Sequence, residues 1–152
     1  MAPYKRRHYR RGNRDKYSVE QTAGNITLTS GQQTNIQVVS NSSIQGMRKV
    51  KHLTISVGGI SGQGIDEGSC FWALVYVPQG TQPNNMSLVG SNMYEPNQFV
   101  MNCGVFDFSA GPTRISSPLS RNLNSGDSIY LVVVPNVNVN MGYVVRYAVT
   151  LQ

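Results

Sequence analysis

The sequence predicts an all-β domain, an antiparallel sandwich or barrel, behind a short basic arm. Three observations point there. Residues 17–152 contain 18 valines but only three glutamates, a balance that favours pleated backbone over helix. Apolar stretches recur between clusters of Gly, Pro, Asn and Ser, as they do where many short strands are joined by turns. The charge is also segregated. Seven of the 13 basic residues, Lys5, Arg6, Arg7, Arg10, Arg11, Arg14 and Lys16, fall in the first sixteen positions, opposed there only by Asp15. Residues 17–152 hold six bases and six acids, so the whole net charge of +6 belongs to the arm. The remaining residues are enough for one domain with a core of its own.

In order, SVEQTAGNITLT (18–29) reads as a strand closed by the turn SGQQ, and TNIQVVS (34–40) as the next. MRKVKHLTISV (47–57) follows and ends at GGISGQG, a run that only a loop tolerates. CFWALVYV (70–77) is stopped by PQGTQPNN, where Pro78 and Pro83 cannot continue a ladder. A long connection leads to QFVMNCGVFDF (98–108), then TRISSPLS (113–120), the turn NSGD, SIYLVVV (128–134) up to Pro135, and GYVVRYAVTL (142–151). That makes eight strands. The loops 58–69, 78–97 and 135–141 are the candidate outer or subunit-contact surfaces.

Two strands depart from the alternation of a sheet with one wet face. CFWALVYV and IYLVVV are apolar at almost every position, which predicts cover on both faces, from a folded-over loop or from a second subunit. Alternation also places Lys49 and Lys51 on the face of Leu53 and Ile55, at its open end. Cys70 and Cys103 have no CxxC partner and lie in apolar stretches, so both read as buried hydrophobic thiols of a reducing compartment. No apolar run approaches the roughly 18 residues of a membrane helix, and the start lacks the apolar core of a signal peptide.

Catalysis finds little support. The histidines are His8 in the arm and His52 in a strand, and no GxSxG elbow or paired nucleophile motif accompanies either. Asp66 and Glu67 lack the alternating oxygen ligands of a calcium loop. GGISGQG lacks the Lys-Ser/Thr of a phosphate-binding loop. The reading is a protein that is not an enzyme, with no cofactor and no metal.

The arm suits one class of partner. Lysine and arginine neutralise phosphates and release counterions, giving salt-sensitive binding indifferent to sequence. Tyr4, His8, Tyr9 and Tyr17 interleave the charges, and aromatic rings stack on unpaired bases, which favours a single strand. Gly, Pro and Asn argue against structure in the free arm. KRRHYRR also fits a nuclear import signal. Arg48, Lys49 and Lys51 form a second, smaller cluster that either extends this positive surface or is a plain charged strand end.

These pieces in this order, the Arg-rich aromatic arm, MRKVKHLTISV, FWALVYVPQGTQPN and SGDSIYLVVV, resemble the capsid proteins of circovirus-like circular single-stranded DNA viruses. The coat proteins of satellite necrosis viruses are more distantly similar. The resemblance implies a single eight-stranded jelly roll over residues 17–152, with residues 1–16 as the nucleic-acid-binding arm. It implies a homo-oligomer of roughly sixty copies closed with icosahedral symmetry. The arm would hold a single-stranded genome, DNA rather than RNA, and engage an import receptor, placing the protein in the virion and the host nucleus. Arg48, Lys49 and Lys51 would match an inner-surface basic strand, with Tyr9 as a further contact. A cellular β-barrel with a basic tail, binding single-stranded nucleic acid, is the alternative. It calls for a basic body with aromatics on one face.

Overall fold

The computed structural model describes residues 17–151 apart from residue 44 and residues 60–67, 84–99 and 118–119. The described residues form nine strands: β1 (Ser18–Leu28), β2 (Thr34–Val39), β3 (Arg48–Gly59), β4 (Ser69–Val77), β5 (Val100–Asp107), β6 (Thr113–Ser116), β7 (Arg121–Leu123), β8 (Ser128–Pro135) and β9 (Val139–Leu151). A 3-10 turn, Phe108–Ala110, follows β5 and is capped by the Asp107 carboxylate. One sheet runs β1-β9-β3-β6, with β7 also on β3, and the other runs β2-β8-β4-β5. We call them sheets A and B. All ladders are antiparallel, and the two sheets form a β-sandwich.

The pairings nest. β1 pairs with β9, β2 with β8, β3 with β6 and β7, and β4 with β5. The chain is therefore one long hairpin. Two further ladders, β3 with β9 and β4 with β8, roll that hairpin into two sheets. Nine strands correct the expected eight, because 113–120 is not one strand. Pairing to β3 stops at Ser116 and resumes at Arg121, flanking a segment whose Pro118 has no N–H for a ladder. β6 and β7 share one position beside β3, so each sheet is four positions wide. β9 also begins earlier than predicted, at Val139 inside the expected loop, and β3 runs on to Gly59.

Inward side chains from both sheets fill the core, with Leu28, Ile55, Leu74, Leu123, Leu131 and Met141 fully buried. Each such burial contributes roughly 1.5–3 kcal/mol. The Trp72 ring lies across Gly104 on the neighbouring strand, where an added Cβ would sit 3.0 Å from Cζ2. A second apolar cluster, Ala73, Val75, Val77 and Val132, occupies the other face of sheet B and is at most 3% exposed. The doubly apolar β4 and β8 are thus covered on both faces within a single chain.

One backbone feature sets the faces of β3. His52 has φ of 55°. Between the pairs Lys51↔Ala148 and Thr54↔Arg146, β3 supplies two residues where β9 supplies one, a β-bulge. The extra residue reverses the alternation, so Val50 and Leu53 both point into the core. Lys49 and Lys51 consequently lie on the outer face of sheet A, opposite to Leu53 and Ile55. The expectation that they share the apolar side is overturned by that one residue.

Polar side chains stitch the two ends of the sandwich. At one end Asn136 Oδ1 accepts from Ser69 N at 2.8 Å, Asn138 Oδ1 accepts from Ser30 N at 2.8 Å, and Gly31 N donates to Pro135 O. These asparagines hold the β8–β9 bend against the β1–β2 turn and the start of β4. Asp127 organises the opposite end, described below.

A β-branched residue suits a strand but not φ near +55°. His52→Val is expected to lower stability by about 1–2 kcal/mol, and His52→Gly to be tolerated, by denaturant midpoint. The thiols also separate. Cys70 is buried as expected, and burial pushes it up to about 12, whereas Cys103 is exposed, against expectation. A maleimide should label one thiol in the native protein, lost in Cys103→Ser, and reach the second only on unfolding.

Candidate nucleic-acid interface

The arm cations Lys5, Arg6, Arg7, Arg10, Arg11, Arg14 and Lys16, with Tyr9, lie outside the described residues. Tyr17 and Ser18 mark where the arm joins the sandwich. β1 is in register with the end of β9, Ser18 facing Val149, and Tyr17 stands on the outer face of sheet A. Lys51 Nζ lies 4.5 Å from the centroid of the Tyr17 ring, a cation–π contact that reaches across Ala148 of the intervening strand. The small side chain at 148 leaves that path open. The arm root and Lys51 therefore share one surface.

Arg48 is turned the other way. Its register partner is Leu123, and its guanidinium donates to Ser40 O at 3.0 Å and Asp127 O at 3.3 Å. It clamps the β2–β3 and β7–β8 connections together. Arg121 also faces inward, its Cζ 4.3 Å from the centroid of the Tyr76 ring. Asp127, 4% exposed, accepts from Tyr76 Oη at 2.6 Å, Asn124 N at 2.9 Å and Gln79 N at 3.0 Å. This cluster closes the arm-bearing end of the sandwich and is built as structure, since its charged groups are engaged by backbone and by Tyr76.

What the sequence reading missed is how the charge of the body is sorted. All six cations beyond the arm, Arg48, Lys49, Lys51, Arg114, Arg121 and Arg146, lie in strands of sheet A, whereas the strands of sheet B hold one charged residue, Asp107. With Arg48 and Arg121 facing inward, four remain on the outer face of sheet A. Arg146 sits between buried Val145 and Tyr147, and Arg114 precedes buried Ile115. No acid joins them among the described residues, because Glu20 is in register with inward-facing Tyr147. Alternation within GYVVRYAVTL and TRIS could have placed Arg146 and Arg114. No group of His, Cys, Asp or Glu suited to a metal occurs among the described residues.

No family model matches the chain, and no curated protein matches it. Among solved structures, one from Desmodium yellow mottle tymovirus is similar with a TM-score of 0.41 and 12% identity, covering 91% of this chain and 89% of that one.

The Tyr76 hydroxyl is pushed up to about 12, chiefly by burial, then by its hydrogen bond to Asp127 and that carboxylate's charge, with Arg121 opposing. A folded value above the ordinary 10 means its contribution is intact below pH 10 and is lost as pH rises through about 12. Tyrosine absorbance should therefore show a late ionisation near pH 12, absent in Tyr76→Phe. Asp127→Ala leaves three partly buried donors without their acceptor and should lower stability by about 1–3 kcal/mol in denaturant titration at neutral pH.

Proposed function

We propose that the protein is the structural subunit of a small virus shell, a circovirus-like capsid protein that assembles into a closed particle and packages single-stranded nucleic acid through its basic arm. The observation that carries this reading is the strand order. A long hairpin rolled into two sheets of four positions, β1-β9-β3-β6/β7 against β2-β8-β4-β5, is the winding of a jelly roll once β6 and β7 count as one interrupted strand. The resemblance of the arm and strand motifs to those capsid proteins supports the same reading. So does the attachment of the arm on the face that gathers the free cations of the body.

In this proposal the division is residues 1–16 as the arm and 17–152 as the shell domain. Roughly sixty subunits close with icosahedral symmetry, a T=1-like shell. The arm cations Lys5 to Lys16 neutralise the genome, DNA in preference to RNA, and Tyr9 stacks on unpaired bases. KRRHYRR directs import into the host nucleus before assembly, and the mature location is the virion. The subunit performs no catalysis and needs no cofactor.

Purified protein should appear in the electron microscope as uniform particles of about 20 nm, the size that roughly sixty domains of this mass require. A monomer at low and high salt alike, still retaining nucleic acid, would instead identify a cellular single-strand-binding module. Deleting residues 2–16 should preserve the strand signature in circular dichroism while co-purified nucleic acid, read by absorbance ratio, falls sharply. Undiminished nucleic acid would move the site from the arm to the body.

A further inference from the structure

The four outward cations of sheet A are spaced in a regular way that composition does not require. By alternation Thr150, itself buried, shares the outer side of β9 with Ala148, Arg146 and Val144, and along a strand such positions repeat about every 6.8 Å. Lys49 is in register with Thr150, Lys51 with Ala148, Arg146 occupies the third position itself, and Ser56, facing Val144, is paired on its other side with Arg114. Each of four consecutive rungs thus presents one cation. All four lie on β3 or one strand to either side, within about 4.8 Å laterally. The row begins beside Tyr17, where the arm joins.

We infer that the outer face of sheet A is a track for an extended single strand of nucleic acid, with Lys49, Lys51, Arg146 and Arg114 each neutralising one phosphate. The rung spacing is on the order of the distance between neighbouring phosphates along one strand, and the aromatic ring beside the row is what favours an unpaired strand. Tyr17, next to Lys51, supplies a ring face at the arm end of the row, with the cation already seated on its other side. The track adds Arg114 and Arg146 to the surface, and Arg48, held by Ser40 O and Asp127 O, is not part of it. The inference rests on the packaging reading above and deepens it: sheet A faces the enclosed strand and sheet B faces away.

The test is a titration of the full chain with oligothymidylate across a sodium chloride series. Each phosphate contact with a single strand contributes about 0.7 to the slope of log affinity against log salt, so K49Q/K51Q/R114Q/R146Q should lower the slope by about three. S56E, which places an acid on the Arg114 rung without removing any packed side chain, should lower it by a smaller amount and guards against misfolding of the quadruple variant. R48Q should leave the slope unchanged. An unaltered slope in both the quadruple variant and S56E overturns the track. So does loss of adsorption to phosphatidylserine vesicles with the oligothymidylate slope intact, which would make the face a lipid surface. The slope is read on unassembled subunits, because a closed shell would hide sheet A from added oligothymidylate, and particle formation is scored separately by electron microscopy. Absence of particles in the unaltered protein therefore counts against the shell proposal alone, and an unaltered slope in subunits that do form particles counts against the track alone.

Discussion

Everything in this structure depends on the ladder between β3 and β9. Without it and its counterpart between β4 and β8 the chain would be a long two-stranded hairpin, and such a ribbon has no interior. β9 lies between β1 and β3, so it joins the outermost pair of the hairpin to an inner one, while the β4–β8 ladder does the same for sheet B. Only then do Ile55, Leu74, Leu131 and Met141 meet across the sandwich. The irregularity of that ladder matters as much as its existence. One residue too many at His52 keeps both Val50 and Leu53 in the core, and in doing so turns Lys49 and Lys51 outward.

The same winding sorts the chemistry. The chain crosses repeatedly between the sheets, so strands distant in sequence share a surface, and all six cations of the body lie in sheet A. Two of them, Arg48 and Arg121, are consumed in closing one end around Asp127. The other four are left on a face with no acid among the described residues, and there the fold makes a neutral body strongly polar. Sheet B takes the opposite course, carrying the buried apolar residues Ala73, Val75, Val77 and Val132 on its second face.

The fold was legible where patterns are local. β2, β4 and β8 lie within a residue of their predicted bounds at either end, because Pro78, the SGQQ turn and the NSGD turn mark them off. The continuous apolar runs of β4 and β8 foretold cover on both faces. What escaped was non-local. The bulge at His52 exists only in the register between β3 and β9, so alternation misplaced the two lysines. The division of 113–120, by contrast, had a local signal in Pro118, which cannot donate to a ladder. Cys103 reads as buried because its neighbours are apolar, yet β5 is the edge of sheet B, and there one side of the strand stays wet. Arg114 and Arg146 had the flanking pattern to be assigned to a face, but nothing in sequence says that their two strands bracket β3.

The nested pairing also has a meaning in time. β1 is among the earliest parts of the domain to be synthesised, and its partner β9 is the last, with Ser18 facing Val149. Almost every stabilising contact spans a large loop, a topology that folds slowly and keeps its strand edges unpaired while it waits. During that interval β1, with its polar Gln21, Thr22, Asn25 and Thr27, stands open without the long apolar run that would recruit another chain. The apolar strands β4 and β8 are made later, with less of the chain still to come. The order of polarity along the sequence is thus a defence against premature association, written into a fold that cannot close until its final strand is made.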